Sequence, residues 1–112
     1  MDKTIARERL LARRAELEED DRLSAADRAP VTLDQDSVGR LSRIDAMQMQ
    51  AMALASERRR AAERSRIDAA VGRLEKGEFG YCLTCGEDIN PARLNNDPSV
   101  TQCLACASGE KA

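Results

Sequence analysis

The sequence contains no histidine and no tryptophan, and Phe79 and Tyr81 are its only aromatic residues. Aromatic side chains usually contribute much of the area that a protein core buries. Hydrophobic residues make up 42% of the 112 residues, but many of them are alanines, so large apolar side chains are scarce. We therefore expect one modest domain, or a small domain with an extended appendage, that depends on more than a hydrophobic core for its stability.

Several functional classes lack the residues that they need. The chain has no histidine, no glycine-rich phosphate-binding loop and no serine nucleophile beside a base, so we expect no enzymatic activity. No apolar run approaches the roughly 18 residues of a membrane span, and the N-terminal residues mix acids with bases. We therefore expect a cytoplasmic protein without a secretion signal or a membrane span.

Charged residues make up 34% of the chain, and together with alanine and leucine they are typical of long, solvated helices. Residues 2–27 lack glycine and proline, which predicts a first helix. A second helix is predicted for residues 36–76, where Gly77 provides the stop. The two are separated by a turn near residues 28–35. A short linker between long helices predicts an antiparallel helical hairpin, or coiled coil, over residues 1–76.

Apolar residues on both predicted helices are candidates for the seam of the hairpin. Those on the first helix form a broken stripe, which consists of Ile5, Leu10, Leu11, Leu17 and Leu23. Those on the second helix alternate at intervals of three and four, first as Ile44, Met47, Ala51 and Leu54 and then, in a shifted phase, as Ile67, Val71 and Leu74. The methionines have two interpretations, packing in the seam or a pliable partner-binding surface, and they are Met47, Met49 and Met52.

The four cysteines form two Cys-x-x-Cys pairs, Cys82 with Cys85 and Cys103 with Cys106. Two such pairs at this separation are typical of a zinc site, because each tight turn directs two thiolates at one ion. Gly80 and Gly86 flank the first pair, and we expect positive φ angles there. Four thiolates leave no open coordination position, so the predicted zinc ion is structural and there is one per chain.

Metal binding contributes folding free energy to small modules, which compensates for the scarcity of large apolar residues. We therefore predict a separate four-cysteine zinc-finger module over residues 77–112. Its miniature core is expected to contain the two aromatic residues and four aliphatic ones, namely Phe79, Tyr81, Ile89, Leu94, Val100 and Leu104.

The charges leave two further functions open. Residues 57–76 carry seven basic and four acidic side chains, whereas the zinc module carries five acidic and two basic ones. The basic run from Arg58 to Arg66 is either a solvated helix face paired with Glu57 and Glu63 or a surface for phosphates or acidic proteins. Nucleic-acid binding through this run and a zinc-stabilised adaptor for another protein are therefore alternative functions.

A longer set of residues around the cysteines carries a family resemblance. It consists of Glu78-Phe79, Gly80-Tyr81-Cys82-x-x-Cys85-Gly86, Ile89, Arg93-Leu94, Pro98 and Cys103-x-x-Cys106. With the long charged helix before it, this block resembles the DksA/TraR family of RNA polymerase-binding transcription factors. The chain is similar to a short, DksA-like member.

This resemblance implies that the coiled-coil tip enters the secondary channel of RNA polymerase and modulates transcription initiation, without sequence-specific DNA binding. We expect the protein to be a monomer. The tip signature of the family, Asp-x-x-Asp-x-Ala, is absent from the sequence. The resemblance transfers the tip role to Asp45 and Ala46. Asp34 and Asp36 are the competing candidates because they lie closer to the predicted bend, and helix capping or solubility is the alternative role of all three acids.

Overall fold

The computed structural model describes residues 2–25 and 40–109, and in residues 40–42 it describes the backbone alone. These residues form helices α1 (Lys3–Leu23), α2 (Arg40–Lys76), α3 (Pro91–Asn96) and α4 (Leu104–Ala107). Within the same residues, extended pairing is limited to an antiparallel bridge between Tyr81 and Asp88. The predicted mainly helical fold is confirmed. No helix in this part of the chain has the length and apolar character to cross a membrane.

Local signals in the sequence explain the outer ends of the two long helices. The Asp2 carboxylate accepts a hydrogen bond of 2.7 Å from the Thr4 amide and so satisfies one of the free amides of the first turn. At the other end, Gly77 adopts a φ of 73°. Its amide bonds to Leu74 O and the Glu78 amide to Arg73 O, the hydrogen-bond pattern of a Schellman motif. The predicted stop at Gly77 is confirmed, whereas the predicted turn at 28–35 and the predicted helix start at residue 36 lie outside the described residues.

The chain divides into two compact units, one made of residues 1–15 and 63–112 and the other of residues 16–62. In the first unit, Arg7 pairs with Glu75 at 3.6 Å and Arg14 with Asp68 at 2.9 Å. Partners on α2 have falling numbers as those on α1 rise, so the helices run antiparallel, as predicted for the hairpin. The division into residues 1–76 and 77–112 stays a prediction.

Small residues take part in the helix packing of the first unit. Ala6 and Ala70 are both 0% exposed, and their short side chains allow two helices to approach closely. Large buried residues accompany them, namely Leu10, Ile67 and Leu74. The predicted stripe is therefore right at Leu10 and wrong at Ile5 and Leu11, which are exposed.

In the second unit, burial is concentrated near the end of α1. Leu17 is buried, and the ion pair between Arg60 and Asp21 is the most enclosed of those described, with side chains 15% and 20% exposed. Arg60 Nη2 also donates a hydrogen bond of 2.9 Å to Ser24 Oγ. The rest of the predicted seam is wrong here, because its large members are exposed, namely Leu23, Ile44, Met47 and Leu54.

Candidate metal centre

The first pair of cysteines lies in a tight turn of the backbone. Cys82 donates its amide hydrogen to Glu87 O and Ile89 donates to Gly80 O, both at 2.8 Å. Gly86 closes the turn through a hydrogen bond of 2.9 Å to Cys82 O. The φ angles of Gly80 and Gly86 are 94° and 77°, as predicted, and these values favour glycine because a Cβ atom would strain the backbone.

The second pair is positioned by a single helical turn. Cys103 immediately precedes α4 and its carbonyl accepts a hydrogen bond of 2.9 Å from the Ala107 amide, while Cys106 lies within the helix. Because residues three apart share one side of a helical turn, both thiols can be directed to the same place. Gly109 follows the helix with a φ of 81°.

Hydrogen bonds between the two turns bring the four thiols together. The Leu83 amide bonds to Thr101 O at 2.8 Å, and Gln102 Nε2 donates to Thr84 Oγ1 at 2.9 Å. All four Sγ atoms lie within 4.8 Å of one another, and those of Cys85 and Cys103 are 3.8 Å apart. All four cysteines are free of disulfides. In a tetrahedral zinc site with Zn–S bonds of about 2.3 Å, neighbouring sulfur atoms lie about 3.8 Å apart, so the cluster could hold one zinc ion.

The electrostatics of the cluster also suit a cation. Burial disfavours the Cys82 thiolate, but hydrogen bonds from three backbone amides of the two turns outweigh burial and lower the pKa of this thiol to about 6. One of these amides is that of Cys85, which lies 3.5 Å from Cys82 Sγ. For Cys106, burial and then hydrogen bonding to the other thiols raise the pKa to about 12. The Cys82 thiol therefore ionises more readily than the Cys106 thiol, and a bound dication would favour the thiolate form of Cys106 as well.

Comparison with known proteins identifies this arrangement. Residues 77–112 match the family described as the prokaryotic dksA/traR C4-type zinc finger. The C-terminal third of the chain is a zinc finger of this family. Four thiols close enough to share one ion, in a segment that matches a C4 zinc finger, confirm zinc as the predicted cofactor.

Curated relatives match this chain over about 40 residues. The RNA polymerase-binding transcription factor DksA of Haemophilus influenzae is 39% identical over 41 residues, which are 37% of this chain and 28% of the relative. The protein of the same name from Caulobacter vibrioides is 45% identical over 40 residues, or 36% and 28% of the two chains. The aligned region is therefore under a third of each relative.

A solved structure extends the similarity to the helices. The structure of transcription factor DksA2 from Pseudomonas aeruginosa matches with a TM-score of 0.74 and covers 96% of this chain and 81% of its own. Sequence identity in this match is 24%, so the comparison shows that the two proteins share a fold.

The apolar cluster around the thiols is smaller than predicted. Two of its buried members are the thiols Cys82 and Cys106, and the others are Ile89 and Leu94, with Phe79, Val100 and Cys103 packed against them. Tyr81 and Leu104 were expected in this core but are 49% and 68% exposed. Leu104 lies one residue after Cys103 and two before Cys106, and because a helix turns through about 100° per residue its side chain leaves the side that carries the thiols.

Polar residues between the two cysteine pairs support the site, and among them only Arg93 belongs to the block that carries the family resemblance. The Asp97 carboxylate accepts hydrogen bonds from the Ser99 amide at 3.0 Å and from its hydroxyl at 2.7 Å, and Ser99 is 1% exposed. Arg93 Nε donates to Gln102 O at 2.9 Å, directly before Cys103. The Asp97-Pro98-Ser99 run could have predicted the contact between Asp97 and Ser99, since Asp side chains often accept a hydrogen bond from the backbone amide two residues later.

The predicted partner-binding acids stand apart from this centre in the chain. Asp45 and Ala46 lie in α2, within the unit of residues 16–62, and Asp45 is exposed while Ala46 is partly buried. Asp34 and Asp36 lie outside the described residues. The tip role of all four residues stays a prediction.

The basic run differs in detail from the expectation. Arg60 pairs with Asp21 of α1 rather than with a neighbour on its own helix. Glu63 was expected to pair within α2, but it accepts two hydrogen bonds from Arg13 of α1, at 2.8 Å from Nε and 3.0 Å from Nη2. Arg58 and Arg59 are exposed, and Arg59 donates to Ser56 Oγ at 2.8 Å.

Proposed function

We propose that this protein is a DksA-like transcription regulator that binds RNA polymerase and inserts its helical hairpin into the secondary channel, acting as a cytoplasmic monomer. The observation that carries the proposal is the combination of a matching C4 zinc finger with a hairpin fold similar to that of a transcription factor. Two of the matched relatives are RNA polymerase-binding transcription factors.

In this proposal one zinc ion is held by Cys82, Cys85, Cys103 and Cys106. A bound zinc ion would cross-link the two turns that carry the cysteine pairs, between which there are few large apolar residues. The backbone amides that donate to Cys82 Sγ favour the thiolate form that a metal requires. With four thiolate ligands the site has no position for water or substrate, which assigns the ion a structural role.

The polymerase contact would be made by residues of the second unit, on α2 before Arg60. Three methionines lie exposed there, at Met47, Met49 and Met52, and they lie on the same helix as the exposed Asp45. Their exposure favours a partner-binding surface over packing in a seam, because methionine adapts its shape to irregular apolar surfaces. Asp45 and Ala46 are the proposed tip residues, and Asp34 and Asp36 are the alternatives.

Purified RNA polymerase provides the test. The wild-type protein is expected to bind polymerase and to alter transcript output from a sensitive promoter. Asp45→Asn should reduce the effect on transcription while the protein still binds, whereas the matched control Asp20→Asn, at an exposed acid on α1, should behave as wild type. The corresponding changes at Asp34 and Asp36 distinguish the two tip assignments. Absence of wild-type binding would refute the proposed function, and unchanged transcription in all three tip variants would refute the acidic-tip mechanism.

Direct nucleic-acid binding is a second candidate because Arg58 and Arg59 are exposed and neither forms an ion pair with a described residue. Phosphate contacts release counterions, so such binding weakens steeply as salt concentration rises. A salt titration with labelled RNA and DNA should show this slope, and Arg58→Ala with Arg59→Ala should reduce it. Affinity that is absent at low salt, or unaffected by the two substitutions, would eliminate this function.

A further inference from the structure

The methionines of this chain are concentrated in one short part of α2. Apart from Met1, all of them lie within residues 47–52, at Met47, Met49 and Met52. These three residues are 55%, 65% and 71% exposed. Leucine forms helices about equally well, and it occupies buried positions of the long helices such as that of Leu10. Among the described side chains of α2, the most exposed large apolar ones are therefore thioethers.

Two of the three methionines share a side of α2 with Asp45, the exposed acid proposed for the tip. A helix turns through about 100° per residue, so Met49 lies about 40° and Met52 about 20° around the helix axis from Asp45, whereas Met47 lies about 160° away. Residues four apart on a helix have Cβ atoms about 5–6 Å apart. Met49 is therefore the neighbour of Asp45 on this side, and Met52 follows on the next turn.

An exposed thioether sulfur reacts with oxidants that transfer an oxygen atom, such as peroxides. A lone pair of the sulfur attacks one peroxide oxygen, so that an S–O bond forms while the O–O bond breaks. The departing hydroxide takes up the proton left on the transferred oxygen and leaves as water. Sulfur is oxidised by two electrons, the peroxide is reduced, and the product is methionine sulfoxide.

Oxidation would change this side of the helix from apolar to polar. A sulfoxide oxygen accepts hydrogen bonds, and burying such a group without a donor costs free energy. The neighbouring Asp45 carboxylate also accepts hydrogen bonds and donates none. A partner surface that packs against the thioethers of Met49 and Met52 would therefore fit the oxidised side poorly.

We propose that Met49 and Met52 form an oxidation site, and that their conversion to sulfoxides by a peroxide weakens the contact between α2 and RNA polymerase. The site is defined by exposure and helix geometry, whereas its effect rests on the proposed polymerase binding. Methionine sulfoxide reductases return both sulfoxide epimers to the thioether, so the modification is reversible.

Oxidation followed by a polymerase-binding measurement tests this inference. Zinc-loaded protein is treated with hydrogen peroxide, and catalase removes the excess before polymerase is added. Mass spectrometry of proteolytic fragments should locate added oxygen atoms at Met49 and Met52. The treated wild-type protein should bind polymerase about tenfold more weakly than its untreated sample.

Substitution by leucine keeps the side chains apolar but removes the sulfur atoms. In Met49→Leu/Met52→Leu, treated and untreated protein should bind polymerase with equal affinity. Met47→Leu is the matched control, because it removes a thioether from a different side of the same helix, and it should stay as sensitive to peroxide as the wild type. Each variant is compared with its own untreated sample, so the effect of the substitution itself on affinity cancels.

The cysteines also react with peroxide, and reductants separate the two chemistries. Dithiothreitol alone reverses disulfides and sulfenic acids, whereas sulfoxides need the reductases in addition. Recovery of binding should therefore require both. Recovery with dithiothreitol alone, equal sensitivity of the double leucine variant and the wild type, or protection by Met47→Leu would overturn the inference.

Two outcomes distinguish this inference from the proposed function. If untreated wild-type protein does not bind polymerase, the proposed function is refuted, and the effect of oxidation on binding is refuted with it. If untreated protein binds and affinity is unchanged with sulfoxides at Met49 and Met52, the proposed function stands and the oxidation site is refuted.

Discussion

The Sγ atoms of Cys85 and Cys103 lie 3.8 Å apart, although the two residues are 18 positions apart in the sequence. This separation is far longer than a disulfide bond of about 2.05 Å and matches the spacing of about 3.8 Å between sulfur ligands of tetrahedral zinc. The contact exists because Leu83 bonds to Thr101 and Thr84 to Gln102. The geometry of the metal centre thus depends on hydrogen bonds between the two turns, and we expect these hydrogen bonds in turn to depend on the metal.

Removal of zinc should unfold the C-terminal module and leave much of the helix content intact. Cys82 and Cys106 are both ligand candidates and buried members of the small apolar cluster, so loss of the ion exposes the cluster as well. Elemental analysis should find one zinc per chain before chelation. After chelation, circular dichroism should show a partial loss of helix, and amide resonances of residues 77–109 should lose their dispersion. A zinc-free protein with an ordered C-terminal module would contradict this prediction.

Substitution of a single thiol should have the same effect as chelation. Cys106→Ser replaces a soft thiolate ligand by a hydroxyl group that binds zinc poorly, so the purified variant should contain much less than one zinc per chain. Ser108→Ala is the matched control, because Ser108 lies two residues later and its hydroxyl bonds only to Ala105 O among the described groups. Full zinc content in Cys106→Ser would remove this residue from the ligand set.

Two glycines should respond in opposite ways to alanine. Gly72 lies inside α2 with open space around the position of a Cβ atom, so Gly72→Ala should stabilise the protein by about 0.5–1 kcal/mol. Gly86 also has open space but a φ of 77°, so Gly86→Ala should destabilise the zinc-bound protein by about 1–2 kcal/mol. Urea unfolding in excess zinc measures both. Equal effects of the two substitutions would show that backbone strain at Gly86 is unimportant.

The cysteine spacing predicted the metal centre because two tight turns leave few ways to arrange four thiols around one ion. Burial on the long helices was harder to predict. Ile5 and Leu11 carry a strong apolar signal but are exposed, whereas Ala6 carries a weak one and is 0% exposed. Close helix packing selects small residues, which hydrophobicity does not reveal. Similarly, the partner of Glu63 is Arg13 on the other helix, since pairing across helices depends on a register that the helical period does not specify.

Close packing at Ala70 should make this position intolerant of larger side chains. Ala70 is 0% exposed, and Ala69 beside it is exposed. Ala70→Leu should destabilise the protein by about 1–3 kcal/mol because the additional methylene groups force neighbouring side chains or backbone apart. Ala69→Leu makes the same change in helix propensity but at an exposed position, so it should change the free energy of unfolding by about 0.5 kcal/mol or less. Equal unfolding midpoints for the two variants would contradict the close packing described for the first unit.

Glu63 should contribute to stability in a pH-dependent manner. The pKa of the Glu63 carboxyl group is lowered from the usual 4.5, mainly by the hydrogen bonds from Arg13. Burial opposes this shift. The charges of Arg13 and Arg66 lower the pKa further, whereas the charge of Asp97 raises it. A carboxyl group whose pKa is lowered on folding stabilises the native state above its unfolded pKa and loses this effect as pH falls through its folded pKa. Because the Arg13 side chain is 47% exposed, solvent screens its interaction with Glu63, and we expect the ion pair to stabilise the protein by about 0.5 kcal/mol.

Comparison of Glu63→Gln with the wild type measures this contribution. The variant should be less stable at pH 7, and the difference should shrink as pH falls below 4.5, where the wild-type carboxyl group begins to take up a proton. Acid also releases zinc from thiolates, so both proteins are unfolded by urea at equal zinc concentration and only their difference is interpreted. Glu8→Gln, at an exposed position of α1, is the matched control and should show no such trend. If the difference in the free energy of unfolding stays constant from pH 7 to pH 4, ionisation of Glu63 does not contribute to stability.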